Sequence, residues 1–122
     1  MSGISYLADT NAFIYLLEGQ DLVLQLAQFE WAFSYITEIE LLGKRGITTI
    51  EETTVLSMLN RCKRVNHNQE ITQEAITVRR EYGLKLPDAI IAACAKVYDL
   101  PLITADIGFS KIKELDIILI QL

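Results

Sequence analysis

The sequence predicts an α/β fold, with a central, mainly parallel sheet flanked by helices. Three observations predict it. Short apolar runs bounded by turn residues alternate with helix-length amphipathic segments, the pattern of βαβ units. Hydrophobic residues make up 51% of the 122, which suits a sheet covered on both faces or a subunit interface. Only two prolines and six glycines interrupt the chain, too few for a loop-rich fold. The same composition excludes disordered, collagen-like and coiled-coil classes. A chain of this length buries about two-thirds of its unfolded surface. No repeat, linker or low-complexity stretch divides it, so residues 1–122 are expected to form one domain.

Each element has its own signal. Ile4–Ala8 is short and apolar between Gly3 and Asp9, as a buried strand should be. From Thr10 the period turns helical, with Phe13, Ile14, Leu16 and Leu17 on one stripe and Gly19 placed to close it. Leu22, Leu24, Leu26 and Phe29 mark a second helix, and aromatic, apolar Trp31–Ile36 a second strand. Thr37 and Glu40 have capping-box spacing, opening a helix that runs to Gly43. Thr49–Arg61 reads as a longer helix opened by Thr-Ile-Glu-Glu, and Lys63–Asn66 as a brief strand. Thr72–Tyr82 is helical up to Gly83. Pro87 suits a first helical position, and Ile90, Ile91, Cys94, Val97 and Tyr98 supply the buried face that follows. Strand Leu102–Thr104, short helix Phe109–Glu114 and strand Ile117–Ile120 complete the series.

Cys62 and Cys94 make no disulfide framework, and Cys94 lies among alanines as a small buried residue would. A reducing compartment is expected. There is no basic leader, and no apolar run reaches the ~20 residues of a membrane span, so the expected location is the cytoplasm, away from membranes. Net charge is −5, from 11 basic and 16 acidic residues. Such a field repels phosphate, unless the acids are gathered where they hold cations.

Where the acids fall is therefore decisive. Asp9 and Asp106 directly follow predicted strands, Glu40 lies in the first turn after the second strand, and Asp88 follows Pro87. In parallel α/β sheets the carboxyl edge is where ligands bind, and helix N-termini begin there. Four converging carboxylates need a cation to stay ionised together. One histidine, His67, and two distant cysteines cannot build a zinc site. An oxygen-only set prefers Mg²⁺ or Mn²⁺, whose natural chemistry with phosphate is phosphodiester hydrolysis. Each acid also has a plain structural reading, as a cap or as a charge favourable to the helix dipole.

Four segments then read as words. Leu7-Ala8-Asp9-Thr10-Asn11-Ala12-Phe13 resembles the opening motif of PIN-domain ribonucleases, the family of VapC toxins in bacterial toxin–antitoxin pairs. Thr37-Glu38-Ile39-Glu40-Leu41-Leu42-Gly43, Leu86-Pro87-Asp88-Ala89-Ile90-Ile91-Ala92 and Leu102-Ile103-Thr104-Ala105-Asp106 are similar to its second, third and fourth motifs, in the family's order. The resemblance implies a PIN-like three-layer fold and a Mg²⁺- or Mn²⁺-dependent endoribonuclease with an RNA substrate. Its products would be a 5′-phosphate and a 3′-hydroxyl. It makes Asp9, Glu40, Asp88 and Asp106 the catalytic and metal-holding quartet, with Asn11 and Thr104 in support. It also implies a small antitoxin partner and a homodimer. One departure is visible: many relatives carry a further acid where this chain has Gly108.

Other residues have plainer readings. Glu38, two positions from Glu40, points elsewhere on a helix and is expected to face solvent or cap. Asp99 and Asp116 suit turns, His67 a polar turn, and Trp31 the core or an interface. The basic groups Lys44-Arg45, Arg61-Lys63-Arg64 and Arg79-Arg80 suit solvated edges, and together could grip RNA phosphates. Helices Asn11–Glu18 and Glu51–Arg61 carry Phe13, Leu16, Leu17, Val55, Leu56, Met58 and Leu59, enough apolar surface for a partner segment to dock between them. A dehalogenase-type phosphatase would need an aspartate at Asn11. A receiver domain would need adjacent acids at Ala8-Asp9. A free-standing RNA-processing nuclease and a non-catalytic PIN-like binding module are the alternatives within the family.

Overall fold

A computed structural model describes residues 1–121. Its elements are β1 (Tyr6–Ala8), α1 (Thr10–Leu17), α2 (Asp21–Leu26), β2 (Trp31–Ser34), α3 (Tyr35–Leu42), α4 (Thr49–Leu59), β3 (Lys63–Val65), α5 (Gln69–Tyr82), α6 (Leu86–Val97), β4 (Leu102–Thr104) and β5 (Ile117–Leu119). A 3₁₀ turn, Ile107–Lys111, stands between β4 and β5. The sheet order is β3-β2-β1-β4-β5 and every pairing is parallel. The chain is thus an α/β fold with a five-stranded parallel sheet between helices.

Alternation along the strands explains the two cores. Leu7 lies opposite Ala32 and Leu102, and all three residues face one side, packing with Val65, Ile71, Val78 and the apolar face of α6. Ala8, Phe33 and Ile103 face the other side, with Phe13 of α1, Val23 of α2 and Val55 and Leu59 of α4. Burial on both faces is why these strands are continuous apolar runs. Trp31 belongs to this second core. Its ring meets Phe13 edge-on at 5.4 Å, and its indole N–H donates to the Leu26 carbonyl at 3.0 Å.

Several boundaries differ from the sequence expectation, each for a local reason. β2 stops at Ser34 rather than Ile36, because the Ser34 hydroxyl caps α3 by accepting from the Ile36 N–H at 3.2 Å. Thr37 is consequently inside α3 and fully buried, and caps nothing. The capping box of α4 is formed by Thr48 and Glu51, one residue ahead of the expected Thr49. Asn68 caps α5 four residues before Thr72, accepting from the Ile71 N–H at 2.8 Å. Pro87 lies in the first turn of α6, which opens at Leu86. The expected helix Phe109–Glu114 is instead the short 3₁₀ turn at Ile107–Lys111.

Two glycines are required by geometry. Gly83 ends α5 at φ +68°, a left-handed position that a side chain strains. Gly43 ends α3 for another reason: a Cβ there would lie 2.5 Å from the Ile39 carbonyl oxygen. Among the described residues no helix is long and apolar enough to cross a membrane.

Candidate functional site

The carboxyl edge of the sheet is built from the middle outwards. Asp9 leaves the end of β1 and caps α1, its Oδ1 accepting from the Thr10 N–H at 2.7 Å. It is only 4% exposed. Its Oδ2 accepts from the Thr104 hydroxyl at 2.8 Å and from Asn11 Nδ2 at 3.1 Å. Neighbouring strand β4 places Thr104 beside β1, so the contact joins residues 95 apart in sequence. Asn11 is fixed in turn, because its Oδ1 accepts from the Ala105 N–H at 3.0 Å. The Thr104 oxygen also accepts from the Asp106 N–H at 3.0 Å, linking two of the acids through one hydroxyl. Asn11 and Thr104 thus both hold Asp9.

Asp106 caps the 3₁₀ turn, its Oδ1 accepting from the Gly108 N–H at 2.8 Å. A Cβ at Gly108 would come within 3.0 Å of that oxygen. Glycine therefore permits the close approach at a position where the resemblance leads one to expect an acid. Glu40, exposed on α3, accepts from the Thr10 hydroxyl at 2.6 Å. Asp88 sits in the first turn of α6, half-buried.

Electrostatics show which of the four feel one another. Burial pushes the Asp9 carboxyl up to about 6 from 3.8; the hydrogen bonds from Thr104 and Thr10 oppose the rise, and the charges of Asp88 and Glu40 add to it. Asp88 is also raised, first by burial, then by Asp106 and Glu40, with Lys85 pulling it back. Among the described residues none of the four forms an ion pair. The edge therefore concentrates negative charge, with Lys85 acting on Asp88 but in no ion pair with it. No three acidic, histidine or cysteine side chains among the described residues close around one point as a ligand set. The donors themselves are all hard oxygen, which fits a divalent ion of the Mg²⁺ or Mn²⁺ kind and no soft metal.

Other acids and bases are engaged elsewhere. Glu38 accepts two hydrogen bonds from Arg64 Nη1, each at 3.0 Å, which takes both out of the site. Lys44 pairs with Glu51 at 2.9 Å. His67 bonds Thr72 at 2.5 Å, and Asp99 holds a left-handed turn at φ 53°. Thr10 and Thr37 are the site neighbours that the sequence reading missed. The available signal was helical spacing, since Thr37 stands one turn before Glu40 on the same face of α3.

A groove of about 810 Å³ lies away from the acids, between α1, α2 and α4. Its walls include Leu16, Leu17, Leu24, Phe29, Trp31 and Met58. The expected apolar surface between α1 and α4 is only partly there: Leu17 and Leu56 are exposed, whereas Phe13, Val55 and Leu59 turn into the core.

Comparison with known proteins places this architecture. The PIN-domain profile matches residues 6–115. A toxin–antitoxin complex from Klebsiella pneumoniae contains a chain 34% identical, with TM-score 0.80, covering 93% of this chain and 96% of that one. VapBC2 from Rickettsia felis, crystallised with a DNA fragment from its promoter, superposes with TM-score 0.85 at 19% identity, over 97% of this chain and 100% of that one. VapBC-1 from nontypeable Haemophilus influenzae gives 0.80 at 22% identity, over 95% and 98%. No curated protein matches the sequence. With a profile match across nearly all its elements and a five-stranded parallel sheet, the chain belongs to the PIN-domain family.

Proposed function

We propose that the protein is a metal-dependent endoribonuclease that hydrolyses RNA phosphodiester bonds and serves as the toxin of a toxin–antitoxin pair. The observation that carries the reading is the edge of the sheet, where burial and then the charges of Asp88 and Glu40 raise Asp9, and burial and then the charges of Asp106 and Glu40 raise Asp88, with no ion pair at any of the four among the described residues. These four would hold Mg²⁺ or Mn²⁺. When bound, such an ion supplies a more acidic water and charge relief at the leaving oxygen. Asp9 is kept in one orientation by Asn11, Thr104 and the Thr10 N–H. Its burial excludes water from one side of the pocket, which strengthens every charge interaction there.

The apolar groove between α1, α2 and α4 supports the partner half of the reading. An amphipathic helix laid in it would cover Leu17 and Leu24, which are otherwise 43% and 48% exposed. The relative from Klebsiella pneumoniae is a chain of a toxin–antitoxin complex. Exposed Ile39, Ile76 and Leu86, away from that groove, offer surface for a second copy of the chain.

The test is cleavage of an end-labelled RNA with added Mn²⁺, with excess chelator, and with Asp9→Asn or Asp88→Asn. Cleavage is expected only with the ion, leaving 5′-phosphates, and should fall at least about 100-fold in either variant. Activity persisting in chelator, or a cyclic phosphate product, overturns the nuclease reading. Expression in cells separates toxin from processing enzyme: growth should stop, and the product of an adjacent short reading frame should restore it. Harmless expression of a wild type that cleaves RNA defeats the toxin half alone.

A further inference from the structure

We infer that Thr10 and Thr37 are positioning residues that lock Glu40 to Asp9. The inference rests on the reading that both acids serve one site, and it concerns the Thr10 and Thr37 hydroxyls, which that reading does not use. Thr10 makes three contacts. Its backbone N–H donates to Asp9 Oδ1 at 2.7 Å, and its hydroxyl lies 2.6 Å from Glu40 Oε1 and 3.0 Å from Thr37 Oγ1. A hydroxyl has one proton to donate, and a carboxylate can only accept. The proton of Thr10 therefore goes to Glu40, and the Thr10 oxygen accepts from Thr37. Direction follows along the whole chain: Thr37 to Thr10, Thr10 to Glu40.

Burial adds the reason that the order holds. Thr37 is 0% exposed, and Thr10 is the one side-chain partner its hydroxyl has among the described residues. An unpaired hydroxyl there would cost about 1–3 kcal/mol, so Thr37 keeps Thr10 in the rotamer that reaches Glu40. Glu40 is itself exposed on α3 and would otherwise sample several rotamers. The relay crosses from α1 to α3, between residues 27 and 30 apart in sequence. One threonine thus sets the spacing of two carboxylates that stand on different elements.

The test uses the full chain and two readouts besides cleavage. In metal-free protein, the carboxyl ¹³C resonance of Glu40 should move in Thr10→Val and Thr37→Val, and return in Thr10→Ser and Thr37→Ser. Calorimetric titration with Mn²⁺ should show affinity lowered by about tenfold or more in each valine variant, with serine restoring it. In a Glu40→Gln background, Thr10→Val should lower Mn²⁺ affinity by less than about twofold, because the residue that it acts on is gone. A Glu40 resonance unmoved by either valine substitution overturns the relay, whatever metal does. Wild-type protein that fails to bind Mn²⁺ overturns the proposed function instead. A loss in Thr10→Val that is equally large in the Glu40→Gln background also overturns the relay, because valine keeps the backbone N–H to Asp9 and the effect would then not run through Glu40.

Discussion

Asp9 gives up most of its hydration to sit at the end of β1, and the hydrogen bonds that it accepts offset only part of that cost. Its carboxyl, raised to about 6 from 3.8, binds a proton more tightly in the folded chain than in the unfolded one. That contribution to stability is complete below the unfolded value of 3.8 and is lost as pH rises through about 6. Asp88, raised as well, adds in the same direction. Urea titration of the protein in chelator should therefore show greater stability near pH 5 than near pH 7.5, by on the order of 1 kcal/mol. Asp9→Asn should flatten the profile and raise stability at neutral pH. Two parallel profiles would refute the assignment to Asp9. Thr104→Val should act oppositely. It removes a donor to Asp9 and strands the Asp106 N–H, lowering stability by about 1–3 kcal/mol in the same titration.

Helix starts show what a sequence can and cannot specify at the level of elements. The spacing Thr-x-x-Glu occurs twice in register at the head of α4, as Thr48 with Glu51 and Thr49 with Glu52. Propensity cannot choose between them. The chain chooses Thr48, whose extended backbone lets its oxygen accept from the Glu51 N–H at 3.1 Å. Thr48→Ala should accordingly lower the free energy of unfolding by about 1 kcal/mol, whereas Thr49→Ala should lie within a few tenths, both read by urea titration. At α3 the same spacing at Thr37 misleads, because Ser34 already caps the helix and Thr37 is needed in the interior. Gly43 illustrates the reverse case, legible as a stop signal but not in its reason. Gly43→Ala should cost about 1–3 kcal/mol through the clash with the Ile39 carbonyl, again by denaturant titration.

For the whole molecule, parallel βαβ order was legible because both faces of the three central strands, β2, β1 and β4, are covered, which leaves short apolar runs in the sequence. The placing of Asp9, Asp106 and Asp88 was legible because strand ends and helix starts meet at one edge of such a sheet; Glu40, expected in a first turn, stands in the second turn of α3 because Ser34 starts that helix earlier. The threonine contacts were not legible, since they depend on the distance between α1 and α3. Nor was the division of apolar side chains between core and groove, which turns on helix rotation: Phe13 points inward while Leu17, four residues on, stays 43% exposed. Leu24→Glu tests the groove. At 48% exposure it should leave thermal stability and the proposed RNA cleavage near wild type while abolishing capture of the proposed antitoxin by the purified chain. Loss of cleavage instead would join the groove to the acidic edge. The bonds that hold Asp9 also bear on the order of events in folding. They join residues 95 and 94 positions apart, and contacts so remote form slowly because a long loop must close first. Until that loop closes, Thr104 and the Asp106 that it holds do not stand beside Asp9. On the proposed function, competence of the acidic edge and completion of the fold would be a single event, and half-made copies of the protein would be inert.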